Sequence, residues 1–204
     1  MAFNVKDQNF DALRALKAGD DAYIAYLKTS PLFAAPELQA LIEAELKRTI
    51  SENIGVCCFS EVPDDQVMFS HYGAGHEGCC LEFSTADSLV GQAFPIVYSD
   101  EPPTLDIFEL NPHRFAQIML GTKHSRWSYE REWRAIVHPM GASLQSIAST
   151  TLTGVILGYK CPPEKEAAVR ALLTNRGTPR VELSKLFLES NGYSFQRRRL
   201  LGAA

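Results

Sequence analysis

Apolar residues recur at helical spacing through the first part of the chain and at strand-like spacing through the rest. Phe10, Leu13 and Leu16, then Tyr23, Ile24, Tyr26 and Leu27, carry the helical period, interrupted at Gly19-Asp20-Asp21. Ser30-Pro31 ends that segment. Pro36 opens another, in which Leu38, Leu41, Ile42, Leu46 and Ile50 form one apolar stripe, with Glu43, Glu45, Lys47 and Arg48 off it. The texture then changes. Gly55-Val56-Cys57-Cys58-Phe59 reads as a buried strand, Pro63-Asp64-Asp65 as a turn or helix cap, and Gln66 to Tyr72 as a short amphipathic segment. Gly73-Ala74-Gly75 makes a loop before a second strand at 78–83, and Phe94 to Tyr98 suggests a third.

Further along, a helix is expected from Pro112 to Gly121, with Phe115, Ile118 and Met119 facing inward. The segment from Glu130 to Val137 reads as a strand, closed by a turn at Pro139-Met140-Gly141. Leu152 to Leu157 is another strand, and Pro162-Pro163-Glu164 starts a helix bearing Ala168, Val169, Leu172 and Leu173. Short strands at Arg180–Leu183 and Tyr193–Arg198 complete the pattern. The expected architecture is a single α+β domain over 1–204. Helices occupy 1–52, and a mixed β-sheet with interleaved helices occupies 53–204.

Composition changes this picture little. With 204 residues, 46% hydrophobic, 22% charged and a net charge of -4, the chain reads as an ordinary globular protein. Mild acidity gives no electrostatic argument for binding nucleic acid or an anionic membrane. No apolar run reaches the roughly 20 residues that span a bilayer, and the start of the chain lacks a secretory pattern, so a cytoplasmic location is the default expectation. The five cysteines fall at Cys57-Cys58, Cys79-Cys80 and Cys161, an odd count inside apolar runs that suggests reduced, buried thiols. Nothing in the pattern indicates a partner or an oligomeric state.

Candidate chemistry concentrates in Trp127-Ser128-Tyr129-Glu130-Arg131-Glu132-Trp133-Arg134. In a strand, Glu130 and Glu132 would share one face with Arg134, while Arg131 and Trp133 point the other way. Paired carboxylates can stabilise positive charge at a sugar carbon and activate a nucleophile. Equally, they can form an ion network with Arg126, Arg131 or Arg134. The second cluster, Ser70-His71-Tyr72-Gly73-Ala74-Gly75-His76, offers tunable imidazoles beside permissive glycines. The plain alternative there is a tight connection whose histidines bond backbone carbonyls. No metal-ligand spacing, nucleophile elbow or phosphate-binding fingerprint occurs. Arg197-Arg198-Arg199 reads as a solvated strand edge.

Several segments together resemble a bacterial family known as domain of unknown function 2971. They are 55–61, Met68 to Tyr72, His76 to Phe83, Lys123 to Arg134, and Val155-Ile156-Leu157-Gly158. The resemblance implies no established activity. Its members usually open on a strand with a Tyr-Lys-Tyr-like motif and then an Asn-Asp-Pro-Phe-Glu-like motif. Here only Phe3-Asn4 corresponds, which implies a shortened or specialised member.

The Glu130-Arg131-Glu132 pattern also resembles the Glu-x-Glu strand of ADP-ribosyltransferases. That resemblance implies NAD as substrate, with Glu132 binding the nicotinamide-ribose hydroxyl and stabilising an oxocarbenium ion. Glu130 would orient the acceptor, and Ser60 would match a serine on an earlier strand. His71, Tyr72, His76, Trp127 and Arg134 would line the substrate cleft. The histidine or arginine that those enzymes carry on their first strand has no counterpart. The alternative is a non-catalytic sensor or interaction domain of a bacterial defence or stress system, in which the same residues form a packed polar network.

Overall fold

The computed structural model describes residues 52–86, 88–103, 112–137, 144–175, 181–190 and 192–201, with isolated positions before residue 52. The helices expected over 1–52, the inward face of Phe115 and the turn at Pro139-Met140-Gly141 lie outside the described residues. What is described is a mixed α+β fold of small sheets and short helices. In chain order the elements are β1 (Gly55–Ser60), α1 (Gln66–His71), β2 (Cys79–Phe83), α2 (Ser88–Gly91), β3 (Phe94–Pro95), β4 (Val97–Ser99), α3 (Pro112–Gly121) and β5 (Thr122–His124). A 3-10 helix (Ser125–Glu130), β6 (Glu132–Val137), β7 (Leu152–Leu157), α4 (Pro163–Asn175), β8 (Glu182–Leu188) and β9 (Phe195–Leu201) follow.

The chain divides into two compact units. One gathers Met1–Gly55, Val97–His124 and Val137–Ala142; the other gathers Val56–Ile96, Ser125–Ile136 and Ser143–Ala204. In the first, α3 begins at Pro112, a residue whose missing N–H costs nothing in a first helical turn. It runs directly into β5, and Thr122 Oγ1 donates to the Ile118 carbonyl at 3.0 Å across the joint. β5 pairs in parallel with β4, Val97 opposite Thr122 and Ser99 opposite His124.

The second unit is built on a four-stranded sheet in the order β2-β7-β8-β9. β7 runs antiparallel to β2 and parallel to β8, and β8 is antiparallel to β9. The parallel pair is joined through α4, as a crossover requires. Because strand side chains alternate, β7 feeds two cores at once. Val155 and Leu157 pack with Leu183, Cys161 and, from α4, Val169 and Leu173. On the other face Ile156 packs with Leu186, with Phe69 from α1, and with Tyr159 and Phe195. Burial on both faces explains why this strand reads as a continuous apolar run. Of the apolar residues on α4, Leu172 points to solvent, at 71% exposure. Val169 and Leu173, four apart, make the packed face.

Three expectations need correction. The strand expected over Phe94–Tyr98 is two strands: β3 pairs with β6, while β4 pairs with β5. Between them Ile96 is buried and its N–H donates to the Glu132 carbonyl at 3.0 Å. The thiols are free, but only Cys161 is buried; Cys57, Cys58 and Cys79 are exposed. β1 and β2 each end the order of their sheets, so neither is covered by neighbours on both sides. The arginine run does lie on the sheet's terminal strand, yet Arg197 is not simply solvated. Its guanidinium holds both Glu82 oxygens at 2.7 and 2.6 Å and donates to the fully buried Ser184 hydroxyl at 2.8 Å. Arg198, on the opposite face, lies over the Phe187 ring.

Candidate functional site

Two short local structures build the site. α1 starts at Asp65, an extended residue whose carboxylate accepts from the Met68 N–H at 2.9 Å and so satisfies a helix-end donor. The helix delivers His71 in its last turn and ends on Tyr72. Gly73 follows because a Cβ there would stand 2.8 Å from both the ring and the carbonyl of Phe69. The second structure is the 3-10 helix of Ser125–Glu130, which presents Trp127 and Tyr129 and terminates on Glu130.

Arg131 then takes φ 43, an uncommon conformation for a residue with a Cβ, before β6 begins at Glu132. Its N–H is bonded to the Ser128 carbonyl, and its own carbonyl accepts from the Glu61 N–H. This turn breaks the strand alternation that would have put Glu130 and Glu132 on one face. Glu130 ends a helix; only Glu132 belongs to the strand.

Glu130 is 3% exposed. One of its carboxylate oxygens accepts from the Tyr72 hydroxyl at 2.9 Å, and its backbone carbonyl accepts from the Ser60 hydroxyl at 2.6 Å. Ser60 Oγ in turn accepts from the Val62 N–H at 2.9 Å. Ser60 therefore clamps the end of β1 to the end of the 3-10 helix. From Tyr72 runs a chain of rings. His71 meets Tyr72 edge-on at 6.2 Å and Trp127 at 6.4 Å, and Trp127 lies beside Tyr129 at 6.1 Å. Tyr72 is 66% exposed and Trp127 38% exposed. Large aromatic surface is thus held at the solvent boundary beside a buried carboxylate.

Glu132 has a different environment. Its carboxylate accepts from Arg134 Nε at 2.7 Å and from a terminal guanidinium nitrogen at 3.1 Å, a two-pronged pairing with both side chains largely buried. Burial by itself would lower the Arg134 pKa; the bond and charge of Glu132 outweigh it and raise the net value. Beside this pair, desolvation and then the Glu132 carboxylate push the Cys58 thiol up to about 11, so it stays protonated at neutral pH. The expected shared face of Glu132 and Arg134 is what permits their pairing. Trp133, on the other side, donates its indole N–H to Glu61 at 2.7 Å.

Of the residues singled out in the sequence, Ser60, His71, Tyr72, Trp127 and Glu130 thus come together. Glu132 and Arg134 form their own ion pair. His76 takes part elsewhere: with φ 74 it packs its ring against Tyr159 at 5.0 Å and Phe195 at 5.8 Å. Its Nδ1 is buried without a hydrogen-bond partner. Desolvation, then the Lys160 charge, lower its pKa. Tyr129 and Glu61 were not singled out as site residues. Tyr129 was visible in the aromatic-rich stretch, whereas nothing local marks Glu61, which is far in sequence from Trp133. Among the described residues no group of three or more His, Cys, Asp or Glu is disposed to hold a metal ion, and no helix is long and apolar enough to cross a membrane.

The family model described as a protein of unknown function, DUF2971, matches residues 68–135. That interval contains most of α1, the ring cluster, Glu130 and the Glu132–Arg134 pair. No curated protein and no solved structure matches the chain.

Proposed function

We propose that this chain, a member of the DUF2971 family, is a small-molecule-binding domain whose ligand carries a planar ring. The ring is received by His71, Tyr72 and Trp127, with Glu130 as the polar group that orients it. The observation that carries this reading is the chain of solvent-facing rings at Tyr72, His71 and Trp127, tied through the Tyr72 hydroxyl to the carboxylate of Glu130, a residue 3% exposed. Stacking a base on an aromatic side chain contributes about 1–3 kcal/mol, and a carboxylate at the edge supplies direction. A dinucleotide such as NAD, or a simpler nucleotide, offers rings of this kind.

The contacts support sensing over turnover. In the transferase reading Glu132 would grip a ribose hydroxyl and steady an oxocarbenium ion. Here both its oxygens already hold Arg134, which favours a structural role for that carboxylate. Ser60, with its proton directed at the Glu130 carbonyl, acts as a positioning residue in the same account.

The test is a titration of the purified protein with NAD, ATP and adenosine, followed by tryptophan fluorescence, with nicotinamide release assayed in parallel. Saturable quenching that disappears in Trp127→Ala, without nicotinamide release, is the expected result. Absence of any response across the panel would remove the ring-binding reading. Nicotinamide release that is lost in a folded Glu132→Gln variant would instead establish the transferase reading.

A further inference from the structure

We propose that His76 is an acid-sensitive latch on the ring site: neutral, it holds the 73–78 loop and the end of α1 in place, and protonated, it releases them. The inference rests on the ring-binding reading above and adds regulation to it. Three consecutive residues of that loop, Ala74, Gly75 and His76, sit at φ 49, 63 and 74. Residues with a Cβ keep such conformations where surrounding contacts hold them. Those contacts converge on His76. Its N–H donates to the Phe69 carbonyl at 3.2 Å, the acceptor that also receives the Gly73 N–H at 3.1 Å, so the loop is fastened to the last turn of α1. Its carbonyl accepts from the Lys160 N–H at 3.1 Å, in space that Gly158 leaves open by lacking a Cβ. Its ring packs on Tyr159 and Phe195, and its Nδ1 is closed off from solvent.

A neutral imidazole with its proton on Nε2 leaves an unused lone pair at Nδ1. An imidazolium instead buries an N–H and a charge at an atom that has no partner among the described residues. The surrounding charges oppose it or are engaged elsewhere. Lys160, on the turn after β7 with Tyr159, is itself a cation. Glu77 in the loop binds Lys165 of α4, Glu82 of β2 and Glu182 of β8 bind Arg197 of β9, and Glu189 accepts from Ser194 beside β9. Asp65 caps α1, while Asp64 ahead of it and His71 in its last turn face solvent. Burial raises the Cys80 thiol and keeps it uncharged. Desolvation and the Lys160 charge accordingly hold the imidazole below its ordinary 6.5. A released loop returns it to that value. The latch is therefore closed above about pH 6.5 and weakens as pH falls below it.

Amide hydrogen exchange on the full chain, corrected for its intrinsic pH dependence, reads the latch without any ligand. Between pH 7.5 and 5, protection at Tyr72, Gly73, His76 and Lys160 should fall by about threefold to tenfold relative to the amides of β7. His76→Asn, which tolerates the positive φ and takes no charge, should abolish that fall. Over the same range, binding of NAD and adenosine followed by tryptophan fluorescence should weaken by about twofold, the loss that corresponds to a latch open in half the molecules. A fall in protection that persists in His76→Asn, that β7 shares equally, or that is absent would overturn the latch. Where the variant fails to fold, the His76 ring resonances of the wild type decide. They must titrate below 6.5, with protection levelling off as they do, and a ring that titrates at or above that value overturns the proposal. Loss of protection with affinity unchanged would overturn the link to the site. Loss of protection with no ligand response at any pH would remove the ring-binding reading and leave the latch standing.

Discussion

Replacing Glu132 by glutamine removes the charge from a carboxylate with 6% side-chain exposure while leaving its shape almost unchanged. Its partner Arg134, at 16%, is bound through contacts of 2.7 and 3.1 Å. At an effective dielectric of about 20, unit charges about 4 Å apart attract by about 4 kcal/mol. Glutamine keeps one carbonyl acceptor for the guanidinium, and the partial exposure of Arg134 lets water recover some of the lost solvation. The net loss is therefore about 2–3 kcal/mol, below the range for breaking a fully buried pair. Urea unfolding followed by far-UV circular dichroism measures it. With a slope of about 2 kcal/mol/M, the midpoint should fall by about 1–1.5 M at unchanged slope. A cycle with Arg134→Met and the double variant should return a coupling energy of about 2 kcal/mol. The ring-binding response of Trp127 should survive, since its seat uses Glu130. A Glu132→Gln variant within about 0.5 kcal/mol of wild type, with no coupling to Arg134, would refute the structural role assigned to this pair.

Asp65→Ala removes the cap of the helix that delivers His71 and Tyr72; it should cost about 1 kcal/mol in urea unfolding and weaken ring binding through misplacement of both side chains. His76 makes stability depend on pH. Its folded pKa lies below the ordinary 6.5, so the unfolded chain binds more protons in that region. Stability is then full above about pH 6.5, falls as pH drops below it, and levels off beneath the folded pKa. Urea midpoints measured from pH 7.5 to 5 should show this decline, reduced in His76→Asn, a residue that tolerates the positive φ; an identical decline in the variant would refute the assignment.

The parts of the fold that were legible in the sequence are those with one dominant period. β7 was visible as an apolar run because it is buried on both faces, and α1 and α3 announced themselves through Asp65 and Pro112. What alternation missed were positions where the backbone turns. The left-handed conformation of Arg131 separates Glu130 from Glu132, and no local rule predicts it at an arginine. At Ile96 one expected strand becomes two, through a bond to a carbonyl distant in sequence. β8 was expected to end at Leu183 but continues to Leu188, since Ser184 and Lys185 look polar yet are held inside by Arg197 and by Glu166 on α4. In the site, residue types pointed to the right segments. The division of labour between the two glutamates did not show, because it depends on which carboxylate the Arg134 fork reaches.

The most direct test of ring binding uses the two tryptophans of the chain. In a nitrogen-15 labelled sample each gives one indole N–H resonance, and Trp133 serves as an internal control because its indole is bonded to Glu61 at 2.7 Å. Titration with N-methylnicotinamide or a nucleotide should shift the Trp127 resonance saturably, leave the Trp133 resonance in place, and lose its effect in Tyr72→Ala. A Trp127 resonance that stays unmoved by every ring-bearing ligand, or that moves only together with Trp133, would contradict the account.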